Sequence, residues 1–371
     1  MTRQYLDHCR EILTSRDTLV KGGSKEVPVI SLFGYMTKHD LRKGFPALTT
    51  KKMAFKSAIV ETLWFMRGET NIKELVDHGV PIWTRDAFNH NLEGMIAERI
   101  FPEGLKKYTP GWLDVLADYE LRIKEDEEFA ARWGDLGPVY GAQWRNWQSV
   151  GPDGEVVHVD QFADVINSLK TKPMSKKIIL NAWNAGDVSR MALPPCHLMF
   201  QTGSDGEVLD LMMTQRSCDQ FLGVPFNDIQ YGIVTEILAR ESGLTPRIFV
   251  HSFGDSHFYA GVNDRGNWYR VPENFAWLQG AVRSVREPSD YLNVKEDLEN
   301  RLPPEVDSEG NVLEGKTSYD HVTAIIEQMS RDPLPLSRME IADKPFYLLD
   351  YKDFRFADYK SHPAIHRAMA V

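Results

Sequence analysis

The stretch Ala58-Ile-Val-Glu-Thr-Leu-Trp-Phe-Met66 constrains the fold more than any other part of this chain, because its only charge is Glu61. At helical period its apolar residues surround the axis instead of lining one stripe, so a helix running roughly from Ala54 to Arg67 must be covered on all sides. Glu61 is then a largely desolvated carboxylate with its pKa pushed upward. From this segment alone two readings stand: a proton-shuttling acid, or a buried acid neutralised by an arginine elsewhere in the chain.

The 371 residues are 42% hydrophobic and 26% charged, the composition of a soluble globular enzyme with a large core in one big or two ordinary domains. No apolar run is long enough to span a bilayer, and Met-Thr-Arg-Gln-Tyr-Leu-Asp at the N-terminus lacks the basic and apolar regions of a signal peptide. The expected location is the cytoplasm. The three cysteines, Cys9, Cys196 and Cys218, form no metal-ligand spacing, and an odd count argues against a disulfide framework. No metal and no membrane contact are expected. A net charge of −10 disfavours general nucleic-acid binding, so a small anionic substrate would need its own basic pocket.

Leu6, Cys9, Ile12 and Leu13 fall at helical spacing and predict an amphipathic first helix. Val27 to Phe33, Lys177 to Trp183, Leu209 to Met213 and Ile248 to His251 read as strands, and Asp228 to Ser242 as a helix ended by Gly243. The alternating tail from Phe346 to Tyr359 also reads as strand. Two excursions, about 88–132 and about 261–315, are charged or turn-rich and look like peripheral insertions, helical in the first case. Between them Gly134-Asp-Leu-Gly-Pro-Val-Tyr-Gly141 is a loop whose glycines permit close backbone approach and present Tyr140.

The chemistry is concentrated in Met191-Ala-Leu-Pro-Pro-Cys-His197 and Gln215-Arg-Ser-Cys-Asp-Gln-Phe-Leu-Gly-Val-Pro-Phe-Asn227. A cysteine attacks only as thiolate, and a neighbouring guanidinium is one of the few devices that lowers its pKa enough. The same fork of donors holds a phosphate. A lone cysteine is more commonly inert, but Pro194-Pro195 and Arg216 reverse that expectation for Cys196. Cys218 follows no such turn and reads as structural.

These segments, together with Ser31-Leu-Phe-Gly34, Lys43 to Lys51, Glu61 to Phe65, Gly134 to Trp144 and Phe253-Gly-Asp-Ser-His-Phe-Tyr259, closely resemble the thymidylate synthase family. The resemblance implies a single α+β catalytic domain over 1–371, a large twisted mixed sheet flanked by helices, dimerising through the sheet. It implies folate-dependent one-carbon transfer to C5 of dUMP from 5,10-methylenetetrahydrofolate, with Cys196 adding to C6. Glu61 and Tyr140 match proton-moving positions. Arg216 and Ser217 match phosphate ligands beside Gln215, and His257 and Tyr259 match the pair that bonds the deoxyribose hydroxyl. Asp219, Trp83, Leu222, Gly223 and Phe226 match folate-site positions, with Lys51 near the glutamate tail and Val371 closing the site. For the apolar ones core packing is an equally good account. Lys176 and Lys177 stand where the family's partner subunit sends arginines to the phosphate, which implies an obligate homodimer.

Asn227 matches the base-reading position, since a carboxamide can donate to O4 and accept from N3–H of uracil. Its alternative role is N-cap of the Asp228 helix. Two departures bear on the product: Gly23-Ser-Lys-Glu-Val-Pro28 replaces an arginine-bearing loop, leaving Lys25 as a substitute charge, and Asp86 stands where a second tryptophan is usual. The readings carried forward are reductive methylation to dTMP, hydroxymethylation of dUMP by water, the corresponding dCMP chemistry, and a non-catalytic regulatory homologue.

Overall fold

The first helix, α1 (Thr2–Thr14), buries the stripe Leu6, Cys9, Ile12 and Leu13 as its spacing requires. The computed structural model describes residues 1–22, 27–105, 109–307 and 309–369. The expectations placed on Lys25 and Val371 therefore lie outside the described residues. Strands β1 (Leu19–Gly22) and β2 (Pro28–Asp40) pair antiparallel, and β2 runs well past the predicted Phe33. Helix α2 (Phe55–Arg67) has every residue from Ala58 to Met66 buried, as its unbroken apolar surface demands. It stops at Gly68, whose φ of +86° is open to glycine and whose N–H closes on the carbonyls of Trp64 and Phe65.

After the short α3 (Lys73–Asp77), the first excursion folds as α4 (Thr84–Ala97), α5 (Pro110–Glu125) and α6 (Glu127–Trp133). It is not merely solvated surface. Phe88 packs on Trp112 and Tyr119 at ring separations of 5.6 and 5.3 Å, a small aromatic core of its own. Next come α7 (Tyr140–Arg145), the hairpin β3 (Trp147–Val150) and β4 (Val156–Val159), and α8 (Gln161–Thr171). Strand β5 covers only Ile179–Asn181 of the predicted Lys177–Trp183. Side chains truncate it at both ends: Ser175 Oγ accepts the Lys177 N–H, and Asn181 Oδ1 accepts the Trp183 N–H.

Strands β6 (His197–Ser204) and β7 (Val208–Asp219) pair antiparallel; helix α9 (Gly223–Ser242) then crosses over to β8 (Thr245–Tyr259), which lies parallel to β7. The resulting six-stranded mixed sheet has the order β1-β2-β8-β7-β6-β5. Helix α9 starts five residues ahead of the predicted Asp228. Pro225 falls in the first helical turn, where proline is tolerated. Asn227 thus sits inside the helix and is not its N-cap, which corrects that expectation.

The second excursion forms α10 (Asn263–Arg270), α11 (Pro272–Ser284) and α12 (Asp290–Glu299). It is fastened to α1 by Gln279 and Arg283, which donate to the carbonyls of Ser15 and Thr14. Its ends are clasped by the buried Glu305, which accepts from Val262 N–H, Tyr319 N–H and Ser318 Oγ at 3.0, 3.1 and 2.6 Å. The chain closes with α13 (His321–Met329) and the pair β9 (Arg338–Ile341) and β10 (Phe354–Ala357). Only the end of the predicted Phe346–Tyr359 strand is strand. Phe346–Leu348 and Tyr351–Asp353 are single 3₁₀ turns, the second held by a capping box on Asp350.

One face of the sheet is inside: Phe249, His251 and Phe253 of β8 and Leu211, Met213 and Gln215 of β7 are all buried. The alternate residues Ile248, Val250 and Ser252, with Met212 and Thr214, stay partly exposed, and Met36 of β2 is 57% exposed. No helix among the described residues is long and apolar enough to cross a membrane.

Candidate active site

Among the three cysteines only Cys196 is partly exposed, while Cys9 and Cys218 are fully buried and burial pushes both thiols well above their usual range. Cys196 ends the turn that leads into β6, and that turn is held by its backbone. Its N–H donates to the Tyr140 hydroxyl at 2.7 Å and its carbonyl accepts the Arg216 N–H at 2.8 Å. Arg216, near the end of β7, also sends Nε to the Pro195 carbonyl and Nη2 to the Pro194 carbonyl, at 2.8 and 2.9 Å. The guanidinium lies 5.6 Å from the centre of the Trp183 ring. Two of its five N–H donors are committed in this way, so the group is fixed against the Pro194-Pro195-Cys196 turn with donors left for an anion.

Tyr140 opens α7 and is held at depth by its neighbours. A Cβ on Gly137 would come within 2.1 Å of the Arg190 carbonyl, and one on Gly141 within 2.1 Å of the Glu69 carbonyl. Only glycine fits either place. The Tyr140 ring stacks on His197 at 4.1 Å, and His197 meets the Tyr231 hydroxyl through Nδ1 at 3.0 Å. Burial keeps His197 neutral, its pKa lowered to about 3, and raises the Tyr140 phenol well above its normal value. His197 was not singled out by sequence reading, although its place directly after Cys196 puts it there.

Glu61 is 6% exposed, and burial raises its pKa to about 7 against the opposing hydrogen bonds of Trp83 and Gln230. Trp83 Nε1 donates to Oε1 at 2.6 Å and Gln230 Nε2 to Oε2 at 2.7 Å. The partners are neutral donors, so the reading of an acid neutralised by arginine is not what the structure shows. Trp83, expected at a folate-site position, is also a donor to this acid. Replacing Trp83 with phenylalanine removes one donor to the carboxylate and should raise the pKa that governs the acid limb of kcat/KM by about one unit. A pH–rate profile measures it, and an unmoved limb would contradict Glu61 as the titrating group.

From Glu61 a line of amides runs inward. Gln230 Oε1 accepts from Asn227 Nδ2 at 3.0 Å, Asn227 Oδ1 accepts from Gln215 Nε2 at 3.0 Å, and Gln215 Oε1 meets His251 Nε2 at 3.0 Å. His251 Nδ1 in turn lies 2.8 Å from Asp228 Oδ1. Gln215 Nε2 also donates to the Ser217 carbonyl at 2.9 Å. Sequence reading missed Gln230, His251 and Asp228. The signal for His251 was its period-two spacing from Phe249, which puts both on the inner face of β8.

Leu222, Gly223, Phe226 and Asn227 are the partly exposed residues of the first turns of α9, at spacings of one helical face, so Leu222 and Phe226 are not simply core. Asp219 accepts from the N–H groups of Phe221 and Leu222 at 2.9 and 3.1 Å. Burial would raise its pKa, but His321 at 3.5 Å and the other donors hold it below the usual value. His257 is opposite Asp219 in the β7–β8 register, and its ring meets Tyr259 edge-on at 5.4 Å, so the predicted pair shares one side. Ser217 follows Arg216 on β7, partly exposed. Lys51, expected near the glutamate tail, lies inside. It is 5% exposed, donates to the Phe221 carbonyl, sits 3.8 Å from that ring's centre, and has its pKa lowered by burial to about 8. Its ammonium braces the start of α9 from within. Lys176 and Lys177 are exposed ahead of β5, the edge strand of the sheet.

The family model for thymidylate synthase matches residues 3–371. The thymidylate synthase of Mesoplasma florum is 34% identical over 372 residues, covering 100% of both chains. That of Mycoplasma mobile is 36% identical over 374 residues and 99% of both, and that of Listeria innocua 33% identical over 378 residues and 100% of both. With the match running the length of the chain, this protein belongs to the thymidylate synthase family of methyltransferase enzymes.

Proposed function

We propose that the protein methylates dUMP at C5 with 5,10-methylenetetrahydrofolate, releasing dTMP and dihydrofolate. The observation that carries this reading is the Pro194-Pro195-Cys196 turn bound to Arg216 through three carbonyls, which makes the phosphate anchor and the nucleophile one rigid unit. A nucleotide phosphate on the free donors of Arg216 and on Ser217 would bring the pyrimidine over the Cys196 thiol. Its addition to C6 makes C5 nucleophilic through an enolate at O4, and the later elimination returns the thiolate. Asn227 has one N–H and one lone pair beyond its two internal bonds, the pair that O4 and N3–H of uracil require.

Glu61, with a pKa near neutrality, is suited to moving a proton near O4, and Tyr140, which accepts from the Cys196 N–H, to ordering the water that takes the C5 proton. His257 and Tyr259 would hold the sugar hydroxyl. The exposed face of α9, with Asp219, would meet the folate. The half-exposed apolar sheet face supports a homodimer formed there, with Lys176 and Lys177 reaching the partner's phosphate, the whole chain being one catalytic domain carrying the two excursions.

The experiment is incubation with dUMP and methylenetetrahydrofolate, followed by identification of both products. Equal amounts of dTMP and dihydrofolate are expected. Tetrahydrofolate with 5-hydroxymethyl-dUMP would mean that water, not hydride, completes the reaction.

A further inference from the structure

We infer that Gln230, with the His251–Asp228 pair at the far end, is a positioning device that sets which way round the Asn227 carboxamide faces, and so makes the site read uracil and reject cytosine. The inference rests on the reading that Asn227 meets the base. A carboxamide is nearly symmetric in shape, and rotated by 180° it offers Oδ1 where it had offered N–H. In that orientation it would suit cytosine, whose N4 amine donates and whose N3 accepts. Something must hold the uracil orientation.

The structure supplies two acceptors that impose a direction, the Ser217 carbonyl always and Glu61 in the ionised form that its bonds from Trp83 and Gln230 favour. An ionised Glu61 only accepts, so Gln230 must turn its Nε2 toward Oε2 and its Oε1 toward Asn227. The Ser217 carbonyl also only accepts, so Gln215 turns Nε2 toward it and toward Asn227 Oδ1. Asn227 is therefore gripped from both sides with matching polarity. Gln215 Oε1 is left facing His251 Nε2, which must carry a proton to satisfy it. Asp228, fully enclosed against Nδ1, fixes that choice. Burial favours the neutral form of both groups, in which the Asp228 O–H donates to Nδ1 and His251 carries its hydrogen on Nε2. Gln215, Gln230, Asp228 and His251 are each at most 2% exposed, so no solvent offers a substitute partner when one of them turns. Reversing Asn227 alone would set amine against amine at Gln215 and oxygen against oxygen at Gln230.

The test is the ratio of dissociation constants for dCMP and dUMP, measured by calorimetry on the folded protein and on Gln230→Met, Glu61→Gln and the double variant. Wild type should prefer dUMP. In Gln230→Met one of the two grips is gone, and the ratio should fall by about tenfold, the worth of one mismatched buried hydrogen bond. In Glu61→Gln the new amide faces the amide of Gln230 and no longer dictates its orientation, so the ratio should fall to a similar extent although residue 61 does not touch Asn227. In the double variant Glu61→Gln should add nothing to Gln230→Met, because the link between them has been cut. An unchanged ratio in Gln230→Met, including equal weakening of both nucleotides, overturns the inference, as does a further fall in the double variant. Should Gln230→Met fail to fold, an unchanged ratio in Glu61→Gln overturns it. A wild type that shows no preference for dUMP would instead sink the base-reading role of Asn227 itself.

Discussion

Cys196→Ser is expected to lower kcat by roughly 10⁴ to 10⁶, the scale on which enzymes respond to loss of a nucleophile, while dUMP affinity is nearly unchanged. The second half of that expectation comes from the geometry of the turn. Two of the bonds that hold it in register use the Cys196 backbone: the N–H to Tyr140, the carbonyl to Arg216. Serine keeps that backbone, so a near-isosteric hydroxyl leaves the phosphate anchor and the base reader in place. A hydroxyl is a much weaker acid than a thiol, and one arginine cannot ionise it. Single-turnover kinetics with a separate binding titration measures the two effects apart. Loss of both in parallel would show that the turn depends on the thiol.

Arg216→Lys should be nearly as damaging, and differently so, lowering kcat/KM by about a thousandfold through both kcat and KM. The charge survives in this variant, so a purely electrostatic role would predict a mild effect. The structure predicts a severe one because the guanidinium does three jobs with fixed donors. It binds the carbonyls of Pro194 and Pro195, carries positive charge on the turn that bears the thiol, and keeps further N–H groups for a phosphate. An ammonium cannot span two carbonyls and a phosphate in one plane. A second readout separates the jobs: the rate at which iodoacetamide alkylates Cys196 at neutral pH should fall in the variant, since the turn no longer holds positive charge against the sulfur. An unaltered alkylation rate would assign Arg216 to phosphate alone.

Much of this was legible in the chain because the strongest signals were physical. The helix from Ala58 to Met66 had to be buried, and Glu61 within it had to be perturbed; both hold. The glycines on either side of Tyr140 demanded close backbone approach, and two carbonyls at 2.1 Å from their missing Cβ atoms show how close. What was hidden depended on contacts distant in sequence. Nothing local marks Lys51 as a brace under Phe221, since a lysine before a helix reads as solvent-facing. Gln230 looks like a core amide until Glu61, 169 residues away, is seen to accept from it. The first turn of α9, from Gly223, has no side-chain cap to mark it, and an asparagine ahead of Asp228 looked like one. In the tail, alternation of aromatic and polar residues imitated a strand where Pro345 and Asp350 impose 3₁₀ turns.

The central claim is that Cys196 forms the bond to the pyrimidine. The most direct measurement uses 5-fluoro-dUMP, whose C5 cannot lose a proton, so the reaction halts with the adduct in place. Intact and peptide mass spectrometry after denaturation, with methylenetetrahydrofolate present, should find one nucleotide and one folate on the peptide that contains Cys196, and none in Cys196→Ala. A nucleotide attached at Cys9 or Cys218, or unmodified protein from a preparation that turns over dUMP, would contradict the account.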